Sequence, residues 1–257
     1  MNHFSELRAL LTDPSPRHWL QLIDLFDKWE HTPERELALQ YAEQHLNAWP
    51  FRLRRYPFIP IDEILDKSAQ WAPFRLALRL ELSRTYPNLD QLTKLFNSPI
   101  SERLRILDLS TNRLQHLPNN LSKLTQLRIL HVDHNELTQF PTSCGELKKL
   151  EELKLSHNKL TSLPESICTL EHLKTLSLSV NELIHISENI SECKQLEELY
   201  LRNNRLTNIS SKLAQLPRLQ VLTLSNNQLP GENINLFGQQ EIRSYFLQLR
   251  HVTRASR

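Results

Sequence analysis

Leu150-Glu-Glu-Leu153-Lys-Leu155-Ser-His-Asn158-Lys-Leu160-Thr-Ser-Leu163-Pro164-Glu-Ser-Ile167-Cys-Thr-Leu170 is the stretch that decides the fold. Leu153 and Leu155 alternate with Lys154 and Ser156, the period of two that marks a half-buried strand. Leu160, Leu163, Ile167 and Leu170 then follow at spacings of three and four, which predicts a short helical return on the opposite side. Pro164 suits a first helical position there, because its missing N–H would be unpaired anyway. Working outward, L-x-x-L-x-L-x-x-N-x-L begins at Leu104, Leu127, Leu150, Leu173, Leu196 and Leu219, 23 residues apart each time, with Val132 the one substituted leucine. Asn112, Asn135, Asn158, Asn181, Asn204 and Asn227 keep the same phase. Proline recurs at Pro118 and Pro141 but gives way to Ser187 and Ser210 in later units.

A single unit cannot bury its leucine face, so stacked neighbours must supply the core. Six strands spaced about 4.8 Å apart would form a ladder of roughly 24 Å. The asparagine amide, with two donors and an acceptor, suits backbone groups where the chain leaves the strand. A motif of this kind at this period resembles the leucine-rich repeat. Over residues 100–250 the chain is similar to intracellular proteins with 23-residue units and an L-P step, the type shared by Ras-suppressor-like scaffolds and many bacterial proteins. The resemblance implies an α/β solenoid with a parallel β ladder on its concave face. It also implies a binding module that takes protein partners there, without naming them, since fold does not fix function.

The ends differ in kind. After Leu229-Pro230-Gly231 the repeat stops, and Ile242, Phe246 and Leu249 fall at helical spacing. The run from Gly238 through Ile242 to Tyr245-Phe246 resembles the tail of other intracellular members and is expected to cap the stack. Trp19, Trp29, Trp49 and Trp71 all lie in the first hundred residues, where no 23-residue period is visible. Ser15-Pro16 and Thr32-Pro33 read as helix starts, and helical patterns resume near Ile61, Ala69 and Asn88. Phe74, Leu76, Leu78, Leu80 and Leu82 alternate as in a strand, but their Ala, Leu, Arg and Glu surroundings favour a helix. The expected organisation is an α-helical N-terminal domain over 1–99 that also caps the solenoid, repeats over 100–237, and a capping helix and tail over 238–257.

Composition narrows the function. The chain has 31 basic and 29 acidic residues, and 12 and 13 of these fall in residues 1–100. Neither part carries the basic excess of a nucleic-acid footprint. Phe51-Arg52-Leu53-Arg54-Arg55-Tyr56 interleaves basic and aromatic residues but reads better as a loop packed on the helical domain. No apolar run approaches the roughly 18 residues of a spanning helix, and the N-terminus lacks a signal-peptide core. Cys144 and Cys193 occupy leucine and isoleucine positions of the repeat, and Cys168 lies beside them. Core thiols in a reducing, cytoplasmic setting are expected, the host cytoplasm if this is a secreted bacterial effector.

In register, outward strand positions form columns on the concave face. One is Asp108, His131, Lys154, Ser177, Tyr200 and Thr223. The next is Ser110, Asp133, Ser156, Ser179, Arg202 and Ser225. The last is Thr111, His134, His157, Val180, Asn203 and Asn226. Two groups stand out as partner contacts, first His131, Asp133, His134 and His157, which are also the candidates for a metal, then Tyr200, Arg202 and Arg205, with Asp108 and Lys154 on the same face. His and Asp also ligate zinc, yet a solvated binding face is the plainer reading, and no metal or cofactor is expected. Tyr and Arg dominate interface hot spots.

With only Gly145, Gly231 and Gly238, no phosphate-cradling or dinucleotide loop is possible, and no nucleophile elbow or metal-protease motif occurs. The expectation is a non-enzymatic scaffold for protein–protein interaction. Two alternatives stay open. One is a small enzyme or enzyme regulator carried by the helical domain, with the repeats as targeting module. The other is a bacterial effector acting in a host cell. The sequence sets neither the partner nor the oligomeric state.

Overall fold

The computed structural model describes residues 3–12, 21, 22, 25, 37, 38, 41, 42, 78–230 and 234–255. One eight-stranded sheet organises them, with strands in chain order. Strands β1 (Leu78–Glu81), β2 (Leu104–Asp108), β3 (Ile129–His131), β4 (Glu152–Lys154), β5 (Thr175–Ser177), β6 (Glu198–Tyr200) and β7 (Val221–Thr223) are parallel. Strand β8 (Asn235–Phe237) closes the sheet antiparallel to β7. Each repeat returns through a 3-10 turn, as at Glu165–Thr169, and these turns stack on one another as the strands do.

The leucines bury as their spacing requires. Leu150, Leu153, Leu155, Leu160 and Leu170 are fully buried, and Ile167 nearly so. Full burial of one such side chain stabilises by about 1.5–3 kcal/mol, so the stack of identical layers is the main source of cohesion. Cys144 and Cys193 are buried in it, and Cys168 is half-buried.

The asparagines hold the strand exits. Asn158 donates from Nδ2 to the carbonyls of Val132 and Leu155, both at 3.0 Å, and accepts the Leu137 N–H at Oδ1. Asn135, Asn181, Asn204 and Asn227 repeat this pattern one layer apart. Each amide thus ties its own turn to the layer before it.

Proline sits one place earlier than the sequence suggests. Pro118, Pro141 and Pro164 are extended residues preceding the 3-10 turn, with φ near −66° fixed by the ring. Where serine replaces proline, a hydroxyl cap replaces the ring constraint. Ser187 Oγ accepts the Asn189 N–H at 3.2 Å, and Ser210 Oγ accepts that of Lys212 at 3.3 Å.

Leu78–Glu81 is a strand, not the helix that local composition favours. It pairs with β2, shifting register between Leu78 and Arg79, and buries Leu80 and Leu82 in the core. Asn112 treats this segment as a repeat, donating to Leu82 O at 2.7 Å and accepting from Tyr86 N at 2.8 Å. Tertiary pairing overrides propensity because β2 would otherwise present an open edge and bare leucines.

Helix α2 (Leu89–Asn97) follows, opened by a capping box between Asn88 and Gln91. Before it, α1 (His3–Thr12) buries Leu7, Leu10 and Leu11. Residues 21, 22, 25, 37, 38, 41 and 42 are helical, where the proline-started helices are expected. The four tryptophans, the segment 51–56 and the helices expected near Ile61 and Ala69 lie outside the described residues. At the other end, α3 (Gln239–Ala255) buries Ile242 and Phe246. Its start uses Gly238 at φ +86°, a left-handed conformation that glycine adopts freely.

Among the described residues no helix is long and apolar enough to cross a membrane.

Candidate functional site

The period of two places alternate strand residues on the concave face, and parallel register aligns them across strands. Asp108, His131, Lys154, Ser177, Tyr200 and Thr223 are register partners in sequence. A further row precedes it, formed by Ile106, Ile129, Glu152, Thr175, Glu198 and Val221. Sequence columns counted forward from the inward leucine pass over this row. Its signal is the residue before that leucine, as in Glu152-Leu153 and Glu198-Leu199.

Glu152 organises the first group. His131 Nε2 lies 2.9 Å and Lys154 Nζ 2.6 Å from Glu152 Oε1. Burial raises the Glu152 carboxyl, but hydrogen bonds from Lys154 and His131 outweigh it and hold the group below its ordinary value. Asp133 does not join them. Its Oδ1 accepts the Ser156 N–H at 2.7 Å, and burial pushes its carboxyl up. His134 and His157 stack on each other, with ring centroids 4.1 Å apart. Asp108 Oδ1 accepts the Ser110 N–H at 2.9 Å. The four residues considered for zinc therefore take three different sets of partners. Among the described residues no three His, Cys, Asp or Glu converge as a metal site.

The second group divides. The Tyr200 hydroxyl donates to Glu198 Oε2 at 3.1 Å, and Thr175 Oγ1 donates to the same oxygen at 3.3 Å. Burial first, then the neighbouring Glu198 carboxylate, pushes the Tyr200 phenol up. Arg202 is exposed, two residues along from Tyr200. Arg205 belongs elsewhere: its guanidinium pairs with Glu182 at 2.9 Å, and Lys159 pairs with Glu136 at 2.8 Å two repeats away. These pairs stitch adjacent asparagine turns.

A concave cavity of about 650 Å³ gathers Lys154, His157, Tyr200 and Arg202 with Glu152, Glu198 and Phe237. Phe237 reaches it from β8, in register with Val221. No spacing rule of the repeat extends to that antiparallel strand. The alternation of Ile234 and Leu236 is the one local sign of it.

The stacked layers and open polar face define a repeat solenoid. The leucine-rich repeat region family matches residues 90–242, more than half of the chain, and the chain belongs to that family. Proteins of this fold are typically protein–protein interaction modules. Among solved structures it is similar to a leucine-rich repeat protein of Leptospira interrogans, at 28% identity and a TM-score of 0.47, over 68% of this chain and 53% of that one. It is also similar to a TDR receptor, at 27% identity and a TM-score of 0.52, over 63% of this chain and 28% of that one. The chain thus spans about half, or less, of the length of these two proteins. No curated protein matches it.

Proposed function

We propose that this chain is a non-enzymatic scaffold that takes a protein partner on its concave face, on β4 through β8. The cavity over these strands carries the reading, because it brings Lys154, His157, Tyr200 and Arg202 together on one rigid sheet. Tyr and Arg are the side chains that dominate interface hot spots. The carboxylate of Glu152 is already met by Lys154 and His131, which suits a recognition surface better than a poised acid or base. Asp108, His131, Asp133 and His134 extend the same face towards the N-terminal end, and Arg205 lies on its rim.

In this reading residues 1–99 form a helical domain, 100–237 the repeats and 238–257 the cap. Strand β1 is then the helical domain's contribution to the sheet. A cytoplasmic setting accords with three unpaired cysteines.

Capture from native lysate with the intact chain and with a Tyr200→Ala, Arg202→Ala, His157→Ala variant tests the proposal. A protein held by the first and lost by the second supports it. A protein held equally by both moves the working surface elsewhere.

A further inference from the structure

We infer that the C-terminal half of the concave face is a subsite for an extended peptide bearing a basic and an acidic residue four positions apart. The basic side chain sits between Glu198 and Phe237, and the acidic one sits on Arg202. The inference rests on the concave face being the working surface, and it adds the chemistry of the occupant.

Sorting the charges by use isolates two. Glu152 is met by Lys154 and His131, and Glu182 by Arg205. Glu198 receives hydroxyls from Tyr200 and Thr175 but no cation among the described residues. Arg202 has no side-chain hydrogen bond or ion pair among them either, and is exposed. Residues 198, 200 and 202 alternate with the buried Leu199 and Leu201, so the Cα atoms of the two charged residues lie about 13 Å apart at roughly 3.3 Å per residue. A ligand with one sign of charge satisfies only one of them.

The row of Glu198 ends in an aromatic ring. Glu198 is in register with Val221, and Val221 with Phe237. Phe237 is 62% exposed on the cavity wall. Two strand spacings, about 10 Å, separate it from Glu198. A lysine or arginine side chain laid over Val221 meets the carboxylate at one end and the ring face along its length.

Midway stands Thr223, the register partner of Tyr200. It is only 6% exposed, and its hydroxyl has no hydrogen-bond partner among the described residues. The residue lines the cavity, but its oxygen is shielded from it and offers a ligand no hydrogen bond. The spacing of the two charges selects the form of the ligand: four residues of an extended peptide span about 13 Å, whereas four residues of a helix span only about 6 Å.

A display library of random nonapeptides, sorted on the immobilised full chain and read by sequencing, tests this. Enrichment of a basic residue four positions from an acidic one is expected. Arg202→Glu should reverse the preferred charge at the acidic position, and Phe237→Ala should weaken the basic preference. Both positions are exposed, and circular dichroism of each variant checks the fold. An enriched peptide titrated against Arg202→Glu should lose about tenfold or more in affinity. Peptides enriched without the charge pair, or a pattern untouched by Arg202→Glu, overturn the inference. If such peptides are still lost with Tyr200→Ala, the concave-face reading stands. No enrichment over bare resin also overturns it, and the lysate capture then decides the wider reading.

Discussion

The imidazole rings of His134 and His157 lie nearly parallel, 4.1 Å between centroids and 13° between planes. Both precede a repeat asparagine and both hold a left-handed backbone, at φ 54° and 56°. Stacking at this distance is compatible with neutral rings and opposed by two charges. Desolvation first, then the neighbouring His134, pull the His157 pKa down, against the attraction of Asp133. A histidine depressed in the fold binds its proton more readily when unfolded. Its contribution is therefore complete above an unfolded pKa of about 6.5 and lost as pH falls through the lower folded value. Thermal midpoints measured from pH 8 to pH 5 should fall on acidification. The fall should be shallower for His157→Asn, which keeps a residue suited to that backbone. Equal slopes would clear the stack of any part in acid sensitivity.

Asn181 tests whether the ladder amides are structural. Alanine there strands the Leu160 N–H, bonded to Asn181 Oδ1 at 3.0 Å, and takes one of two amide donors from the Leu155 and Leu178 carbonyls, which keep Asn158 and Asn204. An orphaned buried group costs about 1–3 kcal/mol, so a loss on the order of 2 kcal/mol is expected for the one stranded N–H. Asn181→Asp should be no better, because it keeps the acceptor but turns a carboxylate towards two carbonyls. Urea unfolding of the three proteins measures this. A midpoint unchanged by alanine would make the amide dispensable.

How legible these features were depends on what fixes each one. Leucine and asparagine positions recur every 23 residues, so periodicity alone placed the core, strand exits and outward columns. Leu80 and Leu82 lie before the first regular unit, where alternation and helix propensity disagreed. The open edge of β2 decided for the strand, and an edge is a tertiary fact. Columns also told which residues are neighbours but not which partner each takes. His131 reaches Glu152 across one strand because both side chains are long enough to meet, whereas the shorter Asp133 is captured by a backbone N–H.

Val180 carries avoidable strain. It holds φ 57° in a column otherwise filled by Thr111, His134, His157, Asn203 and Asn226. A left-handed backbone costs an ordinary L-residue about 1–2 kcal/mol, and asparagine tolerates it best after glycine. Its amide already bonds Arg202 O at 2.8 Å, so the turn has no freedom to relax. Val180→Asn should stabilise the chain by about 1 kcal/mol, a rise of roughly 2–4 °C in Tm for a chain of this size. Asn203→Val should lower it by a similar amount. A neutral or destabilising Val180→Asn would show that valine's contacts outweigh its backbone strain.

The three thiols should be slow nucleophiles for one common reason, burial in the stack of returns. Desolvation pushes Cys168 up to about 11 and Cys193 up to about 12, and raises Cys144 as well. The thiolate is the reactive form. At pH 8 a pKa near 11 leaves about one thiol in a thousand ionised, at least a hundredfold less than for a free cysteine near 8.5. Iodoacetamide at pH 8, followed by mass spectrometry, should modify the folded chain slowly. Half-buried Cys168 should react before Cys144 and Cys193, and urea should release all three together. Rapid labelling of Cys193 in the folded chain would instead mean that its layer opens on its own. Repeat layers contact only their neighbours, so such an opening would mark the fourth repeat, next to the one that carries Glu198, Tyr200 and Arg202, as a weak point of the solenoid.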